Sequence, residues 1–211
     1  LYKIPGYILL LFGGFCLSWG GFIIRSFEEA SIWQILLLRS VFFMIALMIF
    51  LIATYKKNTI KIITDAGYPA LLGGLVMSLS FIAFVVSMSI TTVANVVFII
   101  STQTMFLAIF GYFYLKEKVS LVGAISIFLA MSGIVIMVGD SISAGSLFGN
   151  IVALAIPINF AILVMIIRKN TKVDMIPAIF YSGIFSLMYG FFLAESFIFT
   201  KHDLFMGFLL G

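Results

Sequence analysis

Apolar residues fill this chain in blocks of about twenty, divided by short polar knots. A bilayer core of roughly 30 Å is crossed by about 20 residues at ~1.5 Å per residue, so this block length predicts membrane-spanning helices. The first span covers Gly6 to Ile24, too long and too glycine-rich for a signal peptide and with no small-residue cleavage site behind it. A loop holding Arg25, Glu28 and Glu29 follows. Ser31 then offers an N-cap, and Ile32 to Ala53 make the second span, ended by the polar run Tyr55 to Thr59. Lys61 is expected along the interface. The third span follows Asp65, takes Pro69 into its first turns and reaches about Ile90. Thr91 and Thr92 leave only a tight turn before the fourth, so these two spans form a hairpin. Lys116-Glu117-Lys118 closes the fourth. The fifth opens at Ser120 and ends near Gly139 and Asp140, the sixth runs from about Leu147 to Ile167 and the seventh from about Met175 to Ala194. An eighth begins near Leu204 and is cut at Gly211.

The fourth span, within Thr91 to Val119, has an unusual interior. It carries Asn95 and then Ser101, Thr102, Gln103 and Thr104, side chains that lipid cannot hydrogen-bond. Asn95 and Thr102, seven apart, share a face, but four consecutive polar residues at ~100° each cannot. The helix is therefore expected to be enclosed by protein on most sides.

Composition fixes the class. With 64% hydrophobic and 9% charged residues, the chain lies far from the quarter or so of charged residues in soluble domains. The fold class is all-α, a polytopic transmembrane helix bundle. One cysteine, Cys16, allows no intrachain disulfide, and one histidine, His202, allows no Cys/His metal cluster, so no metal and no cofactor is expected. The net charge of +4 is read as an orientation signal, and nucleic acid is excluded as a partner. Placing the N-terminus in the cytoplasm puts Lys3, Lys56, Lys57, Lys61, Lys116, Lys118, Arg168, Lys169 and Lys172 on one side and only Arg25 and Lys201 on the other. The outer loops then hold Glu28, Glu29, Asp140, Glu195 and Asp203.

The chain also repeats. Trp19 to Arg25, ending the first span, lies over Ile162 to Arg168, ending the sixth, and Leu71-Leu72-Gly73 matches Leu209-Leu210-Gly211. Five spans per unit is an odd number, so the second copy enters the membrane from the opposite side, the inverted-repeat plan of secondary transporters. Residues 6–139 are read as the first repeat and 146–211 as a truncated second one. A first residue other than Met and a second unit of barely three spans read as a piece of a ten-span chain.

Several residues carry a resemblance: Ser18, Trp19, Gly20 and Arg25 at the end of the first span, Arg39 in the second, then Thr92-Val-Ala-Asn95, Tyr114-Leu-Lys-Glu117-Lys-Val, Gly123 and Gly133. In their order and spacing the sequence resembles the drug/metabolite transporter superfamily, and within it the ten-helix family of two EamA domains. Where many relatives have a proline near the middle of the fourth span this chain has Thr104, which leaves a helix break there in question. The resemblance implies a multi-pass transporter of the plasma (bacterial inner) membrane, with spans 1 to 4 and 6 to 9 around a central cavity and span 5 peripheral. Its expected partners are a small-molecule substrate and the lipid bilayer, with a homodimer allowed.

The expected function is movement of a small organic metabolite by alternating access. A lipid-linked head-group flippase of the same superfamily is the alternative. An intramembrane enzyme fits poorly, since no Asp, Glu or His lies inside the spans between Gly6 and Ala194. Pro157 near the middle of the sixth span and Gly14, beside Gly13, at the matching point of the first are expected helix interruptions, which mark midplane sites in inverted-repeat transporters. Asn95, Thr102, Gln103 and Asn159 are the candidate hydrogen-bond donors to substrate, with Ser18, Trp19 and Arg39 on the outer side. Arg39, about 12 Å in from Ser31, either binds an anionic substrate group or snorkels to the interface. Glu117 is either a gating partner for a basic residue of the other half or an ordinary solvated loop residue. Ser126, Ala130 and Gly133 form a small-residue track expected to pack closely.

Overall fold

The polar knots are where the chain turns, and side chains in them cap the helices that follow. The computed structural model describes residues 6–118, 120–143, 147–171 and 174–211. Lys3, Val119, Ser146 and Lys172, which enter the sequence reading, lie outside the described residues. Among the described residues there are ten α-helices and no strand: α1 (Gly6–Arg25), α2 (Ile32–Tyr55), α3 (Thr59–Asp65), α4 (Gly67–Ile90), α5 (Val93–Ser101), α6 (Gln103–Leu115), α7 (Leu121–Ser143), α8 (Leu147–Lys169), α9 (Ile176–Leu193) and α10 (Lys201–Leu210). The all-α expectation holds. Among the described residues five stretches are long and apolar enough to cross a membrane: Ile32–Asp65, Gly67–Ile90, Val93–Leu115, Leu147–Lys169 and Ile176–Leu193.

Capping sets the starts. Ser31 Oγ accepts the Gln34 N–H, and Gln34 Oε1 accepts the Ser31 N–H at 2.7 Å, a reciprocal box at the head of α2. Thr92 and Ser120 hydroxyls accept the third-residue N–H of α5 and α7. Thr200 does the same for α10, accepting from Asp203, and corrects the expected start near Leu204. The cap brings Asp203 into the first turn, where it is 1% exposed and its Oδ1 accepts the Glu28 N–H at 3.0 Å. Asp203 is therefore a buried tie between segments, no longer a free loop carboxylate.

In the packed layer α9 lies between α2 and α4, α4 between α9 and α8, and α8 between α4 and the α5–α6 pair, while α10 and α1 lie across α2 and α4. The hairpin of spans three and four is thus opened: α4 and α5 share a turn, but α8 is wedged between α4 and α6. Interhelical ties sort the loops into two ends. At one end Arg25 donates to the Thr91 carbonyl, Gln34 Nε2 to Ser196 and His202 Nε2 to the Ser26 carbonyl. At the other Tyr55 donates to Asp174, Arg168 to Glu117 and Tyr181 to the Ile63 carbonyl. Each segment lies at the end that alternating spans require.

The interior is small and partly polar, the exterior large and apolar. Phe22, Phe113, Phe128 and Phe192 are exposed, whereas Ser40, Ser78, Ser87, Ser182 and Ser186 are buried. A close backbone contact joins α4 and α9, where Ala70, Gly74 and Ser78 on one helix and Ala178, Ser182 and Ser186 on the other form two stripes of small residues spaced by four. A Cβ at Gly74 would lie 2.9 Å from the Ala178 carbonyl oxygen and 3.0 Å from the Ser182 nitrogen, both backbone atoms that cannot step aside. The track expected to pack in this way, Ser126, Ala130 and Gly133 on α7, does not: Ser126 is exposed, and Ser126 and Ala130 line a cleft of about 460 Å³ opposite α5 and α6. α7 is peripheral.

Gly74→Ala is therefore expected to destabilise the bundle by on the order of 1–3 kcal/mol through overpacking. Gly13→Ala meets open space, with nothing within 4 Å of the added atom, and should be neutral. Thermal aggregation of the two variants in detergent checks the contrast, and equal midpoints would refute the close-contact assignment.

Candidate functional site

The fourth span breaks at Thr102, in the polar run itself. Thr102 leaves helical geometry at φ −79°, ψ 0°, ending α5 and opening α6. Local chemistry explains why this is tolerated without proline. Ser101 Oγ donates to the Phe98 carbonyl and Thr102 Oγ1 to the Ile99 carbonyl, each at 2.6 Å, while the Thr102 N–H turns to Ile99. The Ser101 hydroxyl thus satisfies the Phe98 carbonyl, which the bent ladder leaves without its N–H in lipid. The expected interruptions at the other positions are not where the helix ends: α1 is helical through Gly13 and Gly14, and α8 through buried Pro157.

α5–α6 and α8 run parallel, as their end contacts demonstrate. Near one end Thr91 Oγ1 donates to Asn150 Oδ1 at 2.7 Å, with Asn95 Nδ2 at 3.5 and 3.4 Å from the same two oxygens. Gly149 beside Asn150 admits this approach, since a Cβ there would lie 2.8 Å from the Thr91 Cβ. Near the other end Arg168 pairs with Glu117 at 2.6 Å, both side chains about half exposed. Lys116, in the left-handed region at φ 55°, folds the chain back so that Glu117 lies over bare Gly111. Glu117 is thus paired with a basic residue of α8, 51 positions further along the chain.

Between these ends lie the two amides that have no hydrogen-bond partner among the described residues, Gln103 and Asn159. They are about 18 Å from Thr91 and about 14 Å from Asn150 along their helices, so they stand at similar depth. Both are partly buried. Asn95 and Thr102 are spoken for by the contacts above, Thr102 being 7% exposed. The expectation that this span is enclosed fails at Ser101 and Thr104, which are exposed; α7 stands off and leaves the cleft that Thr102 and Thr104 line. Toward the Glu117 end a second cavity, of about 500 Å³, opens between α4, α6 and α8 and is lined by Tyr68, Leu72, Phe110, Tyr114, Lys169 and Asn170.

On the other side of α4 sits Arg39. Its guanidinium lies 4.1 Å over the Phe81 ring and lines a cavity of about 260 Å³ with Cys16, Gly20 and Ile23 of α1, Phe84 of α4 and Leu209 to Gly211. Phe81 is ~13.5 Å from the Ile90 end of α4, while the Arg39 backbone is ~10.5 Å from the Ile32 end of α2. The side chain therefore reaches across the bundle and does not snorkel outward. Ser18 and Trp19 are not with it. Ser18 donates to its own helix at Phe15, and Trp19, 50% exposed, packs edge-on with Phe15 and Phe22 on the outer face of α1. Sequence reasoning missed Cys16 and Ile23, although their spacing with Gly20, four and then three residues, marks one helix face.

A bundle that turns serines inward and phenylalanines outward, on helices long enough to span, is a multi-pass membrane protein. Residues 4–139, well over half of the chain, match the model of the EamA-like transporter family, and the chain belongs to that family of membrane transporters. No curated protein and no solved structure matches it.

The geometry separates three of the polar candidates, Thr102, Gln103 and Asn159, by expected phenotype. Thr102→Val removes a hydroxyl that supports the break and should lower thermal stability and surface expression. Gln103→Leu and Asn159→Leu remove amides with no protein partner among the described residues, so expression should hold while substrate affinity falls roughly tenfold, about 1.4 kcal/mol. Normal substrate affinity in both leucine variants would refute their role at the site.

Proposed function

We propose that this protein moves a small organic metabolite across the plasma membrane by alternating access between two inverted halves, with the N-terminus in the cytoplasm. One observation carries the reading. Gly74 of α4 seats on α9 against the Ala178 oxygen, the Tyr181 Cβ and the Ser182 nitrogen, and Gly211 after α10 seats on α2 against the Arg39 oxygen, the Phe42 Cβ and the Phe43 nitrogen. In both cases the facing helix offers the oxygen of one residue, the Cβ three further on and the nitrogen four further on. Exchanging spans 3 with 8 and 2 with 7 turns one contact into the other, which is what an inverted repeat demands. Under the same exchange Met44 corresponds to Gly183, and these two residues touch each other, as a pair on the exchange axis must. The register sits one residue away from the sequence alignment, which paired Gly73 with Gly211.

In this reading the substrate path runs through the middle of the bundle, and the partners are the solute and the bilayer. Gln103, Asn159 and Arg39 offer it polar contacts. The end ties, Thr91 with Asn150 and Glu117 with Arg168, join the halves and must part in turn. The basic cluster Lys56, Lys57, Lys61, Lys116, Lys118, Arg168 and Lys169 falls at one end and Arg25 and Lys201 at the other, which supports a cytoplasmic basic end.

Two measurements test this. In a Cys16→Ser background, Glu29→Cys should react with a membrane-impermeant thiol reagent in intact cells and Lys57→Cys should not; external labelling of Lys57→Cys would invert the orientation. In proteoliposomes holding the full-length chain, Glu117→Arg should slow solute flux, and the double reversal Glu117→Arg with Arg168→Glu should restore it. An exposed pair contributes only about 0–1 kcal/mol to stability, so yield should change little, and unchanged flux in the single variant would remove Glu117 from the gate.

A further inference from the structure

We propose that the groove between α4, α6 and α8 at the basic end holds an anionic phospholipid of the cytoplasmic leaflet, with the lipid phosphate at Lys169. The leaflet follows from the proposed orientation; the site does not depend on which solute is moved. Polarity along the groove is graded as it is along a phospholipid. At the mouth stand Tyr68 in the first turn of α4, Tyr114 in the last turn of α6, and Lys169 and Asn170 at the end of α8. Further in, Leu72, Phe110, Ile162, Met165 and Ile166 line it without a polar side chain. Tyrosines and long basic side chains mark the head-group level of a bilayer, and apolar residues the acyl level. The volume of about 500 Å³ is that of a ligand site and too large for a packing defect.

Charge selects among lipids. Lys169 makes no ion pair among the described residues, and the acids of this end do not supply one: Glu117 pairs with Arg168, Asp174 accepts from Tyr55 and from the Ile176 N–H, and Asp65 pairs with no base. Lys116 and Lys118, exposed just beyond Tyr114, add to the positive potential at the mouth. A basic pocket between spanning helices on the cytoplasmic side suits an anionic head group, and an ammonium binds phosphate as a point charge. The hydroxyls of Tyr68 and Tyr114, on side chains 69% and 76% exposed, can donate to phosphate or glycerol oxygens.

Position argues against the solute path. At ~100° per residue Tyr68 and Leu72 lie about 160° around α4 from Met88, whose sulfur lies against Gly21 of α1. The groove therefore opens on the side of α4 away from α1. In the inverted plan α1 takes the place of α8, so the other half gathers on α1, across α4 from this groove. The lining also stops short of Gln103 and Asn159, the amides at mid-depth. Below the mouth a polar solute would find nothing to bond, whereas an acyl chain needs no such partner.

The full-length protein, purified in a non-ionic detergent, is titrated with phosphatidylglycerol or with phosphatidylcholine of the same acyl chains, and bound lipids are counted by native mass spectrometry. Phosphatidylglycerol should bind roughly fivefold more tightly, the difference one basic residue makes to an anionic lipid. Lys169→Gln should remove that preference. Leu72→Trp, which keeps every charge but fills the groove, should weaken the binding of both lipids. Lys57→Gln makes the same charge change at the same end but off the groove, and should leave phosphatidylglycerol binding as it was. Equal binding of the two lipids, or equal losses in Lys169→Gln and Lys57→Gln, would overturn the site by reducing it to diffuse surface charge. Unchanged binding in folded Leu72→Trp would remove the lipid from the groove, and displacement of phosphatidylglycerol by soluble glycerol phosphate at similar concentration would assign the lysine to a soluble anion instead. Should Lys169→Gln fail to fold, the comparison of the two lipids on the unaltered protein, together with Leu72→Trp, decides.

Discussion

Helix association in lipid lacks the force that drives it in water, because the tails that surround a leucine are as apolar as the leucine that would replace them. What remains is close packing, and close packing requires that backbones meet. The contact of Gly74 with the Ala178 carbonyl and the Ser182 nitrogen is where that happens in this bundle. With α4 and α9 fixed face to face by two small-residue stripes, the outer faces of the pair are left for α8 and α2, and α5–α6 and α10 add to those in turn. Gly190 against the Leu37 backbone repeats the same device on the other face of α9. A helix such as α7, whose small residues meet no facing backbone, stays at the edge.

The second constraint is that no backbone group goes unsatisfied at membrane depth. It explains why the break in the fourth span falls among hydroxyls. Ser101 Oγ gives the Phe98 carbonyl a donor in place of the Thr102 N–H, which turns with Thr102 Oγ1 to the Ile99 carbonyl, so the chain can leave helical geometry at Thr102 and re-enter it at Gln103. It also bears on Pro157, which lacks a donor toward Ala153 but sits buried among helices while α8 continues through it. Ser186 is the residual case: its buried Oγ has no partner among the described residues, on the stripe where α9 meets α4.

Helix positions were legible because block length and caps are local properties. Ser31, Thr92 and Ser120 mark starts that the hydroxyl alone announces, and the end sorting follows from counting spans. What could not be read was set by contacts between distant segments. The Thr200 cap was hidden by a lysine, a histidine and an aspartate that look like a loop, and burial of Asp203 depends on the Glu28 backbone 175 residues away in sequence. The stripes Ala70–Gly74–Ser78 and Ala178–Ser182–Ser186 have the same spacing as the track on α7; sequence offers no means to tell which of these meets a backbone. At the site, Arg39 was visible as a charge inside a span, but its direction across to Phe81 was not, and Trp19, only three residues from Cys16, turned outward with Phe15 and Phe22.

The two ends of the α5–α6 and α8 pair are tied by interactions of different kinds, and in the proposed cycle that difference matters. Parting Thr91 from Asn150 leaves buried oxygens and amides seeking partners, because Thr91 and Asn150 are both almost fully buried and Gly149 holds the helices too close for water. Parting Glu117 from Arg168 leaves two half-exposed charges that water solvates at once, so that tie contributes little to holding its end shut. The cavity of about 500 Å³ beside Lys169 and Tyr114 lies at this cheaper end. An alternating mechanism needs two states within a few kcal/mol of each other, so whatever is lost at the Thr91 end on opening outward has to be regained elsewhere.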